Sequence, residues 1–82
     1  MVSYKHTKSG NYLQVHYMGD GEYECNLVKK IDENCIFNLD WPLEHILESC
    51  DEVYDTEDKP ILDELSEEDF EIVEVEIKVK QK

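Results

Sequence analysis

From Asn11 to Met18 apolar and polar residues alternate, with Leu13, Val15 and Tyr17 on one side, as in a half-buried strand. Gly19-Asp20-Gly21 follows. Asp-Gly between two such runs marks a hairpin, because both residues tolerate positive φ. Tyr23, Cys25 and Leu27 then alternate with Glu22, Glu24 and Asn26, giving a second strand with a wet outer face. Residues 29–34 read as a turn and Cys35–Leu39 as a third short strand, which completes an antiparallel meander. Asp40 has the character of a helix N-cap, with Pro42 tolerated in the first turn. Leu43, Ile46, Leu47 and Cys50 fall at i, i+3, i+4 and i+7, so a helix is predicted from Trp41 to about Val53. Residues 55–60 form a loop, and residues 61–65 fit a helical turn or a short strand equally well. Ser66-Glu67-Glu68-Asp69 resembles a capping box with Asp at the third position. Val73, Val75, Ile77 and Val79 alternate with Glu74, Glu76, Lys78 and Lys80, a last strand whose charged face suits a sheet edge. The expected fold class is α+β: a small antiparallel sheet, made of a three-stranded meander plus a C-terminal strand, packed by one amphipathic helix.

Composition changes this picture in two ways. Eighty-two residues suffice for one small domain with a thin core, and no Gly/Ser/Pro-rich linker divides residues 1–82. Charge, however, is lopsided. The formal net charge is −13, and all eight bases are lysines. Residues 1–39 hold five acids against Lys5, Lys8, Lys29 and Lys30, a net of −1. Residues 40–82 hold the other sixteen against Lys59, Lys78, Lys80 and Lys82, a net of −12. A near-neutral β half and an acidic helix/strand half are read as two faces of one domain. Such charge argues against direct binding to nucleic acid or an anionic membrane, both of which need clustered cations. No apolar run approaches the roughly 20 residues of a membrane span, and the first residues lack the apolar core of a signal peptide. Cys25, Cys35 and Cys50 are widely spaced, with no Cys-x-x-Cys pair, and are expected to be three reduced, partly buried thiols in a cytoplasm.

The acids supply the candidate site. On the predicted helix, Glu44, Glu48, Asp51, Glu52 and Asp55 form a stripe in which 44/48, 48/52 and 51/55 are like-charge i,i+4 pairs. Carboxylates so spaced lie about 6 Å apart, and Glu74 and Glu76 on a strand face about 6.5–7 Å apart. Both spacings resemble that of adjacent phosphates in a DNA strand. With Glu57, Asp58, Glu67 and Glu68, and with Trp41 as a possible anchor or core residue beside the N-cap, these residues form the expected partner-binding surface. Other chemistries fit less well. An EF-hand loop started at Asp51 places Thr56 where Gly is needed and Leu62 where a bidentate Glu is needed. No pair among His6, His16, His45 and the cysteines has zinc-ligand spacing. The three glycines sit in turns, so there is no phosphate loop, and nothing singles out an acid–base pair. No cofactor, no metal and no enzymatic activity are expected.

Tyr4-Lys5-His6-Thr7-Lys8-Ser9-Gly10-Asn11-Tyr12-Leu13-Gln14-Val15 resembles the opening strands of a family of short phage and bacterial proteins. Its members begin with a Tyr-Lys/Arg-His element, a Lys-Ser/Thr-Gly-Asn turn and a Tyr-x-x-Val-like strand, and are small β-barrel domains of uncertain function. The resemblance covers residues 4–15, and the acidic half does not follow it. In overall character the chain is similar to small acidic phage-encoded inhibitors of the anti-restriction and anti-CRISPR type, many of which mimic DNA. That resemblance implies a non-enzymatic inhibitor acting on a basic nucleic-acid-binding protein, a host or defence enzyme, in the cytoplasm of a bacterial cell. The alternative is a small β-domain whose acidity confers solubility and whose interface is apolar, around Trp41, Ile36 or Ile72, in a homo-oligomer.

Overall fold

In the computed structural model, which describes residues 1–38 and 40–75, five strands and one α-helix alternate with three short 3₁₀ turns. The strands are β1 (Val2–His6), β2 (Tyr12–Gly19), β3 (Glu22–Val28), β4 (Cys50–Tyr54) and β5 (Phe70–Glu74); the helix α1 is Leu43–Ser49. They form one mixed sheet in the order β4-β3-β2-β1-β5. The β2–β3 hairpin follows the alternation that predicts it, pairing Leu13 with Leu27 and Val15 with Cys25. Its turn holds Gly19, Asp20 and Gly21 at φ of 89°, 53° and 78°, a left-handed path that Gly and Asp adopt most readily.

The meander exists, but it is displaced by one strand towards the N-terminus. Its members are β1, β2 and β3, not the segment Cys35–Leu39. In β1, Val2, Tyr4 and His6 are buried on one face while Ser3 is fully buried on the other. A small serine fits where the sheet is covered on both sides, and so a central strand is written partly in polar residues. Residues 33–35 form a 3₁₀ turn capped by Asp32, whose side chain accepts from Asn34 N–H. Phe37 makes only an isolated bridge to Val2, through backbone bonds of 3.0 and 2.8 Å. Leu39 lies outside the described residues.

The helix also differs from its predicted span. It begins after Pro42 rather than at an Asp40 cap and ends at Ser49, running directly into β4. Two forces shorten it. Continuing would stack Glu48 on Glu52 and Asp51 on Asp55, each a like-charge pair. Turning to strand instead buries Cys50 and Val53 against β3, in parallel pairing with Tyr23 opposite Cys50 and Cys25 opposite Val53. Cys25 and Cys50 thereby come to a Cα separation of 6.3 Å and are joined as a disulfide. The expectation of three free thiols is corrected: only Cys35 is free, and it is buried.

Val2, Tyr4, Leu13, Val15, Cys25, Leu27, Phe37, Leu43, Ile46, Cys50 and Val53 make the core. Trp41 is half-buried and packs at its margin, with ring centroids 5.6 Å from Tyr23 and 6.4 Å from Phe37. After β4 the chain doubles back along that strand's outer edge. Tyr54 bridges Pro60, and Ile61 N–H donates to Val53 O at 2.8 Å. Residues 61–65, which the sequence leaves undecided, contain the 3₁₀ turn Leu62–Glu64. The Ser66–Asp69 capping box is formed, and it leads into β5. The C-terminal strand spans Phe70–Glu74 and pairs antiparallel with β1, Val2 opposite Glu74 through His6 opposite Phe70. Its predicted continuation from Glu76 to Lys80 lies outside the described residues. No helix among the described residues is long and apolar enough to cross a membrane.

Candidate functional site

The fold distributes the expected acidic stripe over three places. Glu44 and Glu48 remain on α1, one turn apart. Glu67 joins them from the 3₁₀ turn before β5, and the three carboxylates rim a groove of about 350 Å³ floored by Leu47, Leu62 and Leu65. Glu67 and Glu68 also border an adjoining groove of about 380 Å³, lined by Tyr4, Pro42, Leu43, Phe70 and Ile72. Asp51 and Glu52 lie instead on β4, beside Glu22 and Glu24 of β3, around a smaller depression of about 170 Å³ with Met18, Tyr23 and Tyr54. Asp55 and Asp58 belong to the loop after β4, near Lys29 and Asn26. Glu74 ends β5, and Glu76 lies outside the described residues. The five-carboxylate helical stripe is thus corrected to Glu44 and Glu48 alone, because the helix stops at Ser49.

Several of the acids are occupied by the chain itself. Glu52 Oε1 accepts from Val53 N–H at 3.1 Å and from Leu62 N–H at 2.8 Å. Asp55 Oδ1 accepts from Glu57 N–H at 2.8 Å and Lys59 N–H at 2.9 Å. The Lys59 and Glu57 amides hold the Asp55 carboxyl below its ordinary range. Asp69 is lowered likewise, first by the Ser66 amide it caps. These three carboxylates shape turns. Glu57 pairs with Lys59 at 3.2 Å and Asp69 with Lys8 at 3.8 Å, the ion pairs among the described residues, and the lysine in each is well exposed. Glu44, Glu48, Glu67 and Glu68 are exposed and have no lysine within ion-pair distance among the described residues.

A second polar network joins His16, Gln14, Asp32 and the buried Cys35 near the surface. Cys35 Sγ donates to Asp32 Oδ1 at 3.3 Å, Gln14 Nε2 donates to Asp32 Oδ2 at 2.6 Å, and His16 Nε2 lies 2.9 Å from Gln14 Oε1. Burial works against ionisation of Asp32, but the bonds from Cys35, Gln14 and Asn34 outweigh it and lower its pKa. Burial pushes the Cys35 thiol up to about 11; the Asp32 backbone works against the rise and its carboxylate adds to it, so the thiolate is scarce at neutral pH. His6 is buried against Phe70, 2.8 Å from Ser9 Oγ, and burial lowers its pKa despite nearby Asp69. Among the described residues no group of three or more His, Cys, Asp or Glu is arranged to hold a metal ion.

What the sequence pattern missed is the floor. Leu62, Leu65, Phe70 and Ile72 come from separate segments that only the returning chain brings beside α1, so no local periodicity links them. Glu22 and Glu24 were visible as a wet strand face, but their neighbours Asp51 and Glu52 depend on the parallel β3–β4 pairing. Trp41 lines none of these grooves; its ring closes the core between Tyr23 and Phe37. Scans against family models, curated proteins and solved structures find no match to this chain.

Proposed function

We propose that this domain is a non-enzymatic modulator of a basic nucleic-acid-binding protein, offering the acidic rim beside α1 to the partner's positive groove in place of nucleic acid. The reading rests on one observation. Glu44, Glu48, Glu67 and Glu68 come together from two segments on one surface, unpaired by any lysine of the described residues. A like-charge cluster of this kind raises the local negative potential, steers cationic partners and makes association salt-dependent. Inhibition of a host or defence enzyme is the form of modulation such a surface suits, as in phage counter-defence. In a reducing bacterial cytoplasm the burial of Cys25 and Cys50 limits thiol exchange at their disulfide.

The test is binding to a panel of basic nucleic-acid proteins, with and without competing duplex DNA, over a salt series. Displacement by DNA and a steep loss of affinity with salt are expected, and the E44K/E48K variant should bind at least tenfold more weakly. Capture that DNA does not displace, or that the charge reversals leave unchanged, would sink the proposal. A second reading, self-association through apolar contacts, draws on the exposure of Ile72 at 59%; sedimentation without salt dependence would favour it.

A further inference from the structure

The two edges of the sheet are treated differently. Along β4 the outer edge is covered by the chain returning through Pro60 and Ile61, with Glu52 accepting Leu62 N–H. Along β5 nothing among the described residues lies beyond the strand. Thr7 N–H donates to Asp69 O and Val75 N–H donates to Met1 O. In this antiparallel register the odd-numbered residues of β5 therefore turn their peptide groups towards β1, and Phe70, Ile72 and Glu74 turn theirs away. Phe70 N–H is taken by Glu67 O. Among the described residues, nothing pairs with the N–H and C=O of Ile72 and Glu74, which form an open ladder. Side chains on this edge face the groove shared with Pro42 and Leu43, and Glu67 and Glu68 stand at its rim.

We infer that the β5 edge and this groove receive an extended basic segment of the partner by strand addition. The inference rests on the function proposed above and deepens it by naming how the partner docks. Backbone groups of the incoming segment complete the ladder of Ile72 and Glu74. Its alternate apolar side chains enter the groove against Phe70 and Ile72, and its intervening cations lie on the opposite face, where Glu71 stands beside Lys5 of β1. Charge selects the occupant. Glu67, Glu68, Glu71 and Glu74 outnumber the one base paired beside them, Lys5 opposite Glu71 on β1, so a cationic segment is attracted. A second copy, bringing its own acidic rim at a net charge of −13, is repelled.

The probe is a labelled decapeptide of alternating lysine and valine, titrated by fluorescence anisotropy into the full chain at low and moderate salt. Two comparison peptides carry the same charge: one is N-methylated at alternate residues to remove one row of donors, and one has glycine in place of valine. The unmodified peptide should bind, and each comparison peptide should bind at least tenfold more weakly. Ile72→Pro deletes an outward N–H that β1 does not use, a change edge strands tolerate, and should cost a similar factor with the thermal melt retained. The methylated peptide on the unaltered protein gives the same answer should Ile72→Pro fail to fold. Equal binding of all three peptides, or no binding of any, overturns strand addition. In the first case the acidic-surface reading survives, because charge alone accounts for capture. Edge-dependent peptide binding without capture of any basic nucleic-acid protein would instead leave strand addition standing and remove the proposed function. Dimerisation that Ile72→Pro abolishes would assign the edge to a second copy and overturn the inference.

Discussion

Glu52 and Glu48 are four residues apart and carry the same side chain, yet they do different things. Glu52 accepts two backbone N–H groups and ties β4 to the segment folded back along it. Its loss leaves two amides short of a partner. Glu52→Ala should destabilise the fold by about 1–3 kcal/mol in urea unfolding, and Glu52→Gln by less, because the amide oxygen still accepts. Equal effects of the two would show that the charge, not the acceptor, matters. Cys35 gives a pH signature of its own. Its folded pKa of about 11 stands above the ordinary 9.0. The unfolded chain therefore loses this proton first, and stability should fall as pH rises through the window from 9 to 11. Thermal melts of the parent and Cys35→Ser across that window should differ in slope; parallel curves would dismiss the effect. That the second half is acidic was legible in the sequence. Which acids are free was not, because Glu52, Asp55 and Asp69 find their donors in turns that only the folded chain supplies.

Among the elements, the β2–β3 hairpin was readable because its alternation and its Gly-Asp-Gly turn agree. The helix and β4 were not separable, since Leu43, Ile46, Leu47 and Cys50 continue one stripe across the boundary. Cys50 belongs to both patterns, and the strand wins through contacts with β3, far away in sequence. β1 has no readable periodicity for the opposite reason, its buried Ser3 and His6 being polar, and only the resemblance over residues 4–15 touches it. The disulfide fastens β4 to β3 across a separation of 25 residues. Closing a loop of that size contributes about 3–4 kcal/mol in the chain-entropy account. Reduction, or Cys25→Ser with Cys50→Ser, should lower the unfolding free energy by that order, and a reduced protein as stable as the oxidised one would refute it. On α1, Glu48→Lys replaces repulsion from Glu44 with attraction. It should raise stability by roughly 0.2–0.5 kcal/mol while weakening partner capture. A thermal melt paired with the binding assay separates the two effects, and a variant that lost both would mean Glu48 is needed for folding.

For the molecule as a whole, a net charge of −13 on 82 residues sets the folded state against its own field. Screening should relieve this. The midpoint of thermal unfolding should climb by several degrees as NaCl rises from about 0.02 to 0.5 M, over which the screening length shortens from tens of ångströms to a few. A midpoint that falls or stays flat would indicate that the acids are compensated. The sheet order carries a different consequence. β1 sits between β2 and β5, with Val2 opposite Glu74, so residues 2–6 are flanked by a strand some seventy residues further along the chain. A nascent chain cannot close this sheet until residue 74 has emerged. Until then the flank of β1 that faces β5 stays open, and the long separation between the two partners should slow their pairing.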